Sequence, residues 1–279
     1  MPLNICVLSL ESNNLKKELK VNNGRQLKNA RIEISKVTEN ELYNFSSSHA
    51  LSIYPLEAVC TYIPKNCCSS LRFSIAIANG FVKDVDDINW IHQNNQTFIS
   101  SQREVSLAKH TFVVLRCPYT RIASCYLDKV VDGKINFNDN FGNKASLNFN
   151  EFLEYIKSQS RENMEEHWRN QSDFLHYEHY DDYFSLELFS DAIDLLKSKG
   201  FKVYDTRKIL NHDISSFEKV DGDFSKIKDI DLEKMKNNGR LPSYKSMFTE
   251  LEVNLVNEIY GDDIDLYKSH FGNGALLFK

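Results

Sequence analysis

The 279-residue chain contains no run of about 18 apolar residues, so no membrane-spanning helix is predicted. It carries no excess of positive charge. The formal net charge is −5, which excludes a global basic field that would draw it to nucleic acid or an anionic membrane. Any affinity for an anion must therefore come from a local cluster. The six cysteines, at positions 6, 60, 67, 68, 117 and 125, include no C-x-x-C pair, which argues against a disulfide framework and a zinc site. Reduced thiols in the cytoplasm are expected. The first ten residues lack a basic stretch followed by a long apolar one, so a first strand is expected there rather than a signal peptide. No repeat, low-complexity tract or long linker divides the chain, and a single domain over residues 1–279 is expected. Finally, no G-x-x-x-x-G-K-[ST] occurs, so the usual loop for a nucleoside triphosphate with Mg²⁺ is missing.

What is present starts with residues 58–63, a β-branched apolar run with the length of a buried strand. Residues 71–80 read as a helix, with Ser69 or Ser70 at its N-cap and Gly80 at its end. Between them lies Pro64-Lys65-Asn66-Cys67-Cys68-Ser69-Ser70. A strand, a tight polar loop and a helix start together face an anion with backbone N–H groups and the positive helix end. Lys65 and the two serine hydroxyls add donors. A second apolar run, 111–115, enters Arg116-Cys117-Pro118-Tyr119-Thr120-Arg121-Ile122-Ala123-Ser124-Cys125-Tyr126-Leu127-Asp128-Lys129.

These two segments resemble those of the sulfotransferases that use 3′-phosphoadenosine 5′-phosphosulfate (PAPS), in the branch containing the carbohydrate sulfotransferases. That family carries P-K-x-[AG]-C-[ST]-S after one strand and R-D-P-[FY]-x-R-[LI]-x-S-x-[YF]-x-D-K after another. Two departures stand out: Cys67 replaces a small residue, and Cys117 replaces the Asp, which puts any role of that Asp in doubt. The resemblance covers about residues 56–267 and leaves 1–57 as a variable N-terminal part. It implies that Lys65, Asn66, Cys67, Cys68, Ser69 and Ser70 hold the 5′-phosphosulfate, that Arg116 and Ser124 bind the 3′-phosphate, and that no metal is required. A bidentate guanidinium and a hydroxyl suit such a dianion.

Transfer to an alcohol needs a base. His92 lies between the two loops, where related enzymes keep a catalytic histidine, and is the first candidate. His110 precedes a buried strand and reads as a strand-edge residue. The segment around His167, Trp168 and Gln171 resembles the family's H-W-x-P-Q, with Asn170 in place of the Pro, and is expected to orient the acceptor; His167 is the rival base. In the turn-rich stretch 237–244, Arg240 is placed where many sulfotransferases close the nucleotide pocket with a basic loop.

Further helices are predicted over 150–157, 188–199 and 249–260, strands over 29–36, 182–187 and 202–204, and surface loop with short helix over 205–236. The fold expected is α/β: three layers around a central parallel sheet, P-loop-like, with phosphates at strand carboxyl ends near a topological switch point. The function expected is sulfuryl transfer from PAPS to a hydroxyl acceptor, a carbohydrate by resemblance. A P-loop-type small-molecule kinase and a catalytically degenerate nucleotide-binding protein are the alternatives.

Overall fold

The computed structural model describes residues 24–30, 36–134, 146–206 and 216–279. The strand expected over 1–10, and the centre of the one expected over 29–36, lie outside these. A four-stranded sheet runs in the order β1 (Ala50–Ile53), β2 (Ala58–Thr61), β3 (His110–Leu115), β4 (Asp182–Ser185). β2, β3 and β4 are mutually parallel; β1 is antiparallel to β2. The sheet is thus mixed rather than all-parallel. Its strands follow chain order, so the expected switch point is absent among the described strands.

Alternation along the strands feeds two cores. Val59, Val113 and Leu115 face one, while Ala58, Cys60, Phe112 and Val114 face the other. This is the period-2 consequence of strand geometry, and with helices on both faces it gives three layers. Among the described residues, the helices longer than one turn are α1 (Glu41–Ser47), α2 (Cys68–Ala78), α3 (Gln102–Leu107), α4 (Pro118–Cys125), α5 (Phe149–Ser158), α6 (Phe189–Ser198), α7 (Asp229–Asn237), α8 (Glu250–Ile259) and α9 (Gly261–Phe271). α2 and α6 cover one face of the sheet, and α4, α5, α8 and α9 contribute to the other core. In α5 the predicted stripe Phe149, Leu153 and Ile156 is fully buried. Capping boxes at Asn148 and Thr249 start α5 and α8.

Three local expectations change. The segment 202–204 is not a strand, and 205–236 contributes both α7 and a short strand β5 (Glu218–Val220). β5 pairs in parallel with β6 (Arg240–Pro242), so the stretch expected as loop holds a strand. The N-cap of α2 is neither serine: it is Cys67, in the left-handed region at φ +62°, with Lys65 also left-handed at φ +70°. Two non-glycine residues with positive φ, on either side of Asn66, make the turn after β2 tight and costly, a pattern that clusters at functional sites.

Candidate active site

The carboxyl ends of β2 and β3 open into a cleft of about 1140 Å³. Its walls include Lys65, Cys67, Cys68, Ser69 and Ser70 from the first loop, and Arg116, Thr120, Ser124 and Asp128 from the second. The turn at 63–67 bends on itself: the Asn66 N–H donates to Ile63 O at 3.1 Å, and the Leu71 N–H to Cys67 O at 3.0 Å. The Asn66 amide is therefore committed to the turn. The N–H groups of Cys68, Ser69 and Ser70 belong to the first turn of α2, which a helix leaves without intrahelical acceptors. All three residues line the cleft, so their amides are donors within reach of an anion bound there, whereas the Asn66 amide is not.

The Asn66 side chain is fully buried. It donates to Val114 O at 2.9 Å and to Gln171 Oε1 at 2.6 Å. Gln171, 1% exposed, also accepts from the Arg116 N–H at 3.0 Å and donates to Arg116 O at 2.9 Å. Gln171 is thus the joint that fixes one loop to the other, not an acceptor ligand. Ser70 is likewise turned inward, with its Oγ 3.0 Å from Thr206 Oγ1, while Ser69 keeps to the cleft wall.

Arg116 is nearly buried. Its Nη1 donates to Lys65 O at 2.9 Å, its Nε to Thr120 Oγ1 at 3.2 Å, and its Nη2 to Tyr244 Oη at 3.2 Å. Tyr244 stacks under the guanidinium at 5.4 Å and shares the cleft wall with Ser124. Burial pushes the Tyr244 phenol up, but Arg116, the nearby Ser124 hydroxyl and the charge of Lys65 hold it below its usual value. Arg116, Ser124 and Tyr244 therefore form one anion-favouring corner. Tyr244 takes the place expected of Arg240, which is exposed, pairs with Glu218 at 3.2 Å and does not line the cleft.

Lys65 Nζ bonds Asp128 Oδ2 at 2.9 Å. Burial would raise the Asp128 carboxyl, but Lys65, then Lys134 and Lys129, hold it well below the usual carboxylate range. The family-pattern Asp is Cys117 here, yet a carboxylate still reaches this end of α4: Glu187, just past β4, accepts from the Cys117 N–H at 3.2 Å and from Thr120 Oγ1 at 2.6 Å.

His92 sits on a single helical turn, Trp90–Gln93, and opens onto the cleft; its ring bonds no described residue. Burial first, then the charges of Arg72 and Lys129, lower its pKa. His167 also lines the cleft, with Nδ1 on Glu165 Oε1. Among the described residues, Glu165, Glu166 and His167 bring ligand-type atoms within 4.8 Å of one another. Trp168 points the other way: it is 2% exposed, its Nε1 donates to Gln159 Oε1 at 2.9 Å, and its ring packs edge-on against Phe152. It is core, not acceptor platform. His110 bonds Asp182 at 2.6 Å at the strand edge, outside the cleft lining.

One cleft residue had no signal in the sequence. His49 follows α1, lines the wall and faces Glu166 Oε2 at 3.5 Å, while Nδ1 sits 2.8 Å from Phe45 O. It directly precedes β1, and its carbonyl accepts from the Tyr62 N–H at 3.1 Å, which ties it to the segment after β2.

No curated protein and no solved structure matches the chain. A family model described as the Sulfotransferase family matches residues 57–270, close to the 56–267 expected from the two motifs. That span is most of the chain, and the protein belongs to the sulfotransferase family.

Proposed function

We propose that this protein transfers a sulfuryl group from PAPS to a hydroxyl of a carbohydrate. One observation carries the reading: Lys65 and the first-turn amides of α2 share a single cleft with the Arg116–Ser124–Tyr244 corner. Two anion-favouring ends, held together by the Arg116–Lys65 O hydrogen bond, fit a nucleotide that carries phosphate at both ends of its ribose. The donor supplies an activated sulfuryl group, and the protein supplies position and charge.

Lys65 neutralises charge growing on the oxygen that leaves sulfur, an interaction stronger in the transition state than in the ground state. The Cys68, Ser69 and Ser70 amides orient the 5′ end. Arg116, Ser124 and Tyr244 read the 3′-phosphate. His92, with its lowered pKa, is neutral at neutral pH and accepts the acceptor proton at an imidazole nitrogen. His167, paired with Glu165, is the rival for that step. Cys60, Cys68, Cys117 and Cys125 are free thiols, which fits the reducing setting of a cytoplasmic protein. No observation favours the small-molecule kinase.

Calorimetry with adenosine 3′,5′-bisphosphate against 5′-AMP tests the donor. The bisphosphate should bind about 10- to 100-fold more tightly, the worth of a charge-assisted hydrogen bond to the 3′-phosphate. Equal affinities would overturn the reading. Transfer of ³⁵S from labelled donor to a panel of glycans, lipids and small alcohols tests the acceptor, and label confined to non-carbohydrates would refute the sugar.

A further inference from the structure

We propose that Asp128 is a positioning residue that holds Lys65 in the resting enzyme and yields it to the 5′ end of the nucleotide, so that Asp128 sets how tightly nucleotide is kept and how fast product leaves. This rests on the donor reading given above.

The contact is direct: Lys65 Nζ lies 2.9 Å from Asp128 Oδ2, and the two side chains are 13% and 14% exposed. Both residues line the cleft. A carboxylate oxygen and a phosphate oxygen are alternative acceptors for the same ammonium. While Lys65 stays on Asp128, it cannot make its full set of bonds to the nucleotide.

The surroundings make exchange feasible. Asp128 does not depend on Lys65 alone, since Lys134 bonds its Oδ1 and Lys129 lies 3.6 Å from Oδ2. The carboxylate therefore keeps cationic neighbours when Lys65 leaves. On the other side, Arg116 grips the Lys65 carbonyl, so the main chain stays fixed and only the long side chain has to swing. Asp128 itself is carried on a π-helical turn, Tyr126–Val130, which continues α4. Such turns are rare and are found frequently at functional sites.

The test is a double-mutant cycle read by calorimetry with adenosine 3′,5′-bisphosphate. Asp128→Asn keeps shape and removes the competing charge; Asp128→Ser does so with a smaller side chain. Each should tighten binding about tenfold, the lower end of a charge-assisted hydrogen bond. In a Lys65→Ala background the same substitutions should change affinity by less than about twofold, because the effect acts through Lys65. In turnover, the Asp128 variants should show a lower donor KM and a lower kcat, with a pre-steady-state burst of sulfated product as release slows. Equal tightening with and without Lys65 would show a through-space charge effect and overturn the proposal, as would unchanged affinity. If the wild-type chain binds no bisphosphate, the donor reading itself fails; if it binds and Asp128→Asn changes nothing, only the exchange does.

Discussion

Gln171 is a polar side chain buried at the joint of the two loops, and Gln171→Leu is the substitution that probes it. Leucine nearly conserves volume, so the loss is of hydrogen bonds rather than of packing. Three go: from the Arg116 N–H at 3.0 Å, to Arg116 O at 2.9 Å, and from Asn66 Nδ2 at 2.6 Å. Asn66 Nδ2 keeps Val114 O at 2.9 Å and suffers least. The Arg116 N–H and C=O each lose their Gln171 partner in a dry place, and each such loss costs about 1–3 kcal/mol, or about 2–6 kcal/mol together. Against a total stability of about 5–15 kcal/mol, that is a large fraction. Equilibrium urea unfolding should show a midpoint that falls at nearly constant slope. Affinity for adenosine 3′,5′-bisphosphate should fall too, because the two loops no longer share a fixed register. Gln171→Glu supplies a sharper control. Only its protonated form can donate to Arg116 O, so its folded-state pKa is raised above the unfolded value. Its stability is fully present below the unfolded pKa and is lost as pH rises through the folded one. A Gln171→Leu protein within about 0.5 kcal/mol of wild type, the range of an ordinary surface change, and with unaltered nucleotide affinity would refute the joint.

His92→Ala should leave bisphosphate binding intact and cut turnover about 10²–10⁴-fold; since burial, Arg72 and Lys129 lower its pKa, wild-type activity should rise with pH through a value below the usual histidine range, and a variant with full turnover would pass the role to His167. For Lys65→Ala, single-turnover rates should fall far more than product affinity, and a near-normal rate would remove Lys65 from the chemistry. Tyr244→Phe should weaken bisphosphate binding about threefold to tenfold while leaving 5′-AMP binding unchanged, as expected for one lost hydrogen bond at the 3′ corner. Arg240→Ala, by contrast, should change neither affinity in the same titrations, and a large loss would reinstate Arg240 in the site.

The two loops were legible because strand, turn and helix are local, while Arg116 and Ser124 stood out only through the resemblance of their segment to the sulfotransferase pattern. The inner sheet was legible for the same reason: 58–61 and 110–115 are short, β-branched and bounded by turn residues. Side-chain direction was not. His167 and Trp168 are neighbours, yet one faces the cleft and the other the core, because no regular element sets their period and Phe152 decides where the indole goes. Gln171 looked like a sugar ligand, since an amide reads the same in sequence whether it faces solvent or two buried backbone groups. Arg240 stands out in the sequence for its charge, but pairing with β5 turns it outward while Leu241 and Tyr244 reach the cleft. A strand pair of three residues leaves too little pattern to reveal that in advance. Cys67 as N-cap was hidden because it depends on a positive φ that cysteine seldom adopts.

The joint at Gln171 has a consequence for how the chain folds. The hydrogen bonds that assemble the cleft span long stretches of sequence: 51 residues from Arg116 to Lys65, 55 from Gln171 to Arg116, and 105 from Asn66 to Gln171. Loops this long must close before any of those bonds forms, so the cleft is a late product of folding rather than a nucleus for it. A chain that has formed only β2 and α2 offers a turn with a lysine but no opposite corner. Nucleotide can therefore grip the native state alone, and it raises stability by mass action without guiding the earlier steps. During refolding, the recovery of bisphosphate binding should lag behind the recovery of helix and mark the moment when three distant segments of the chain have met.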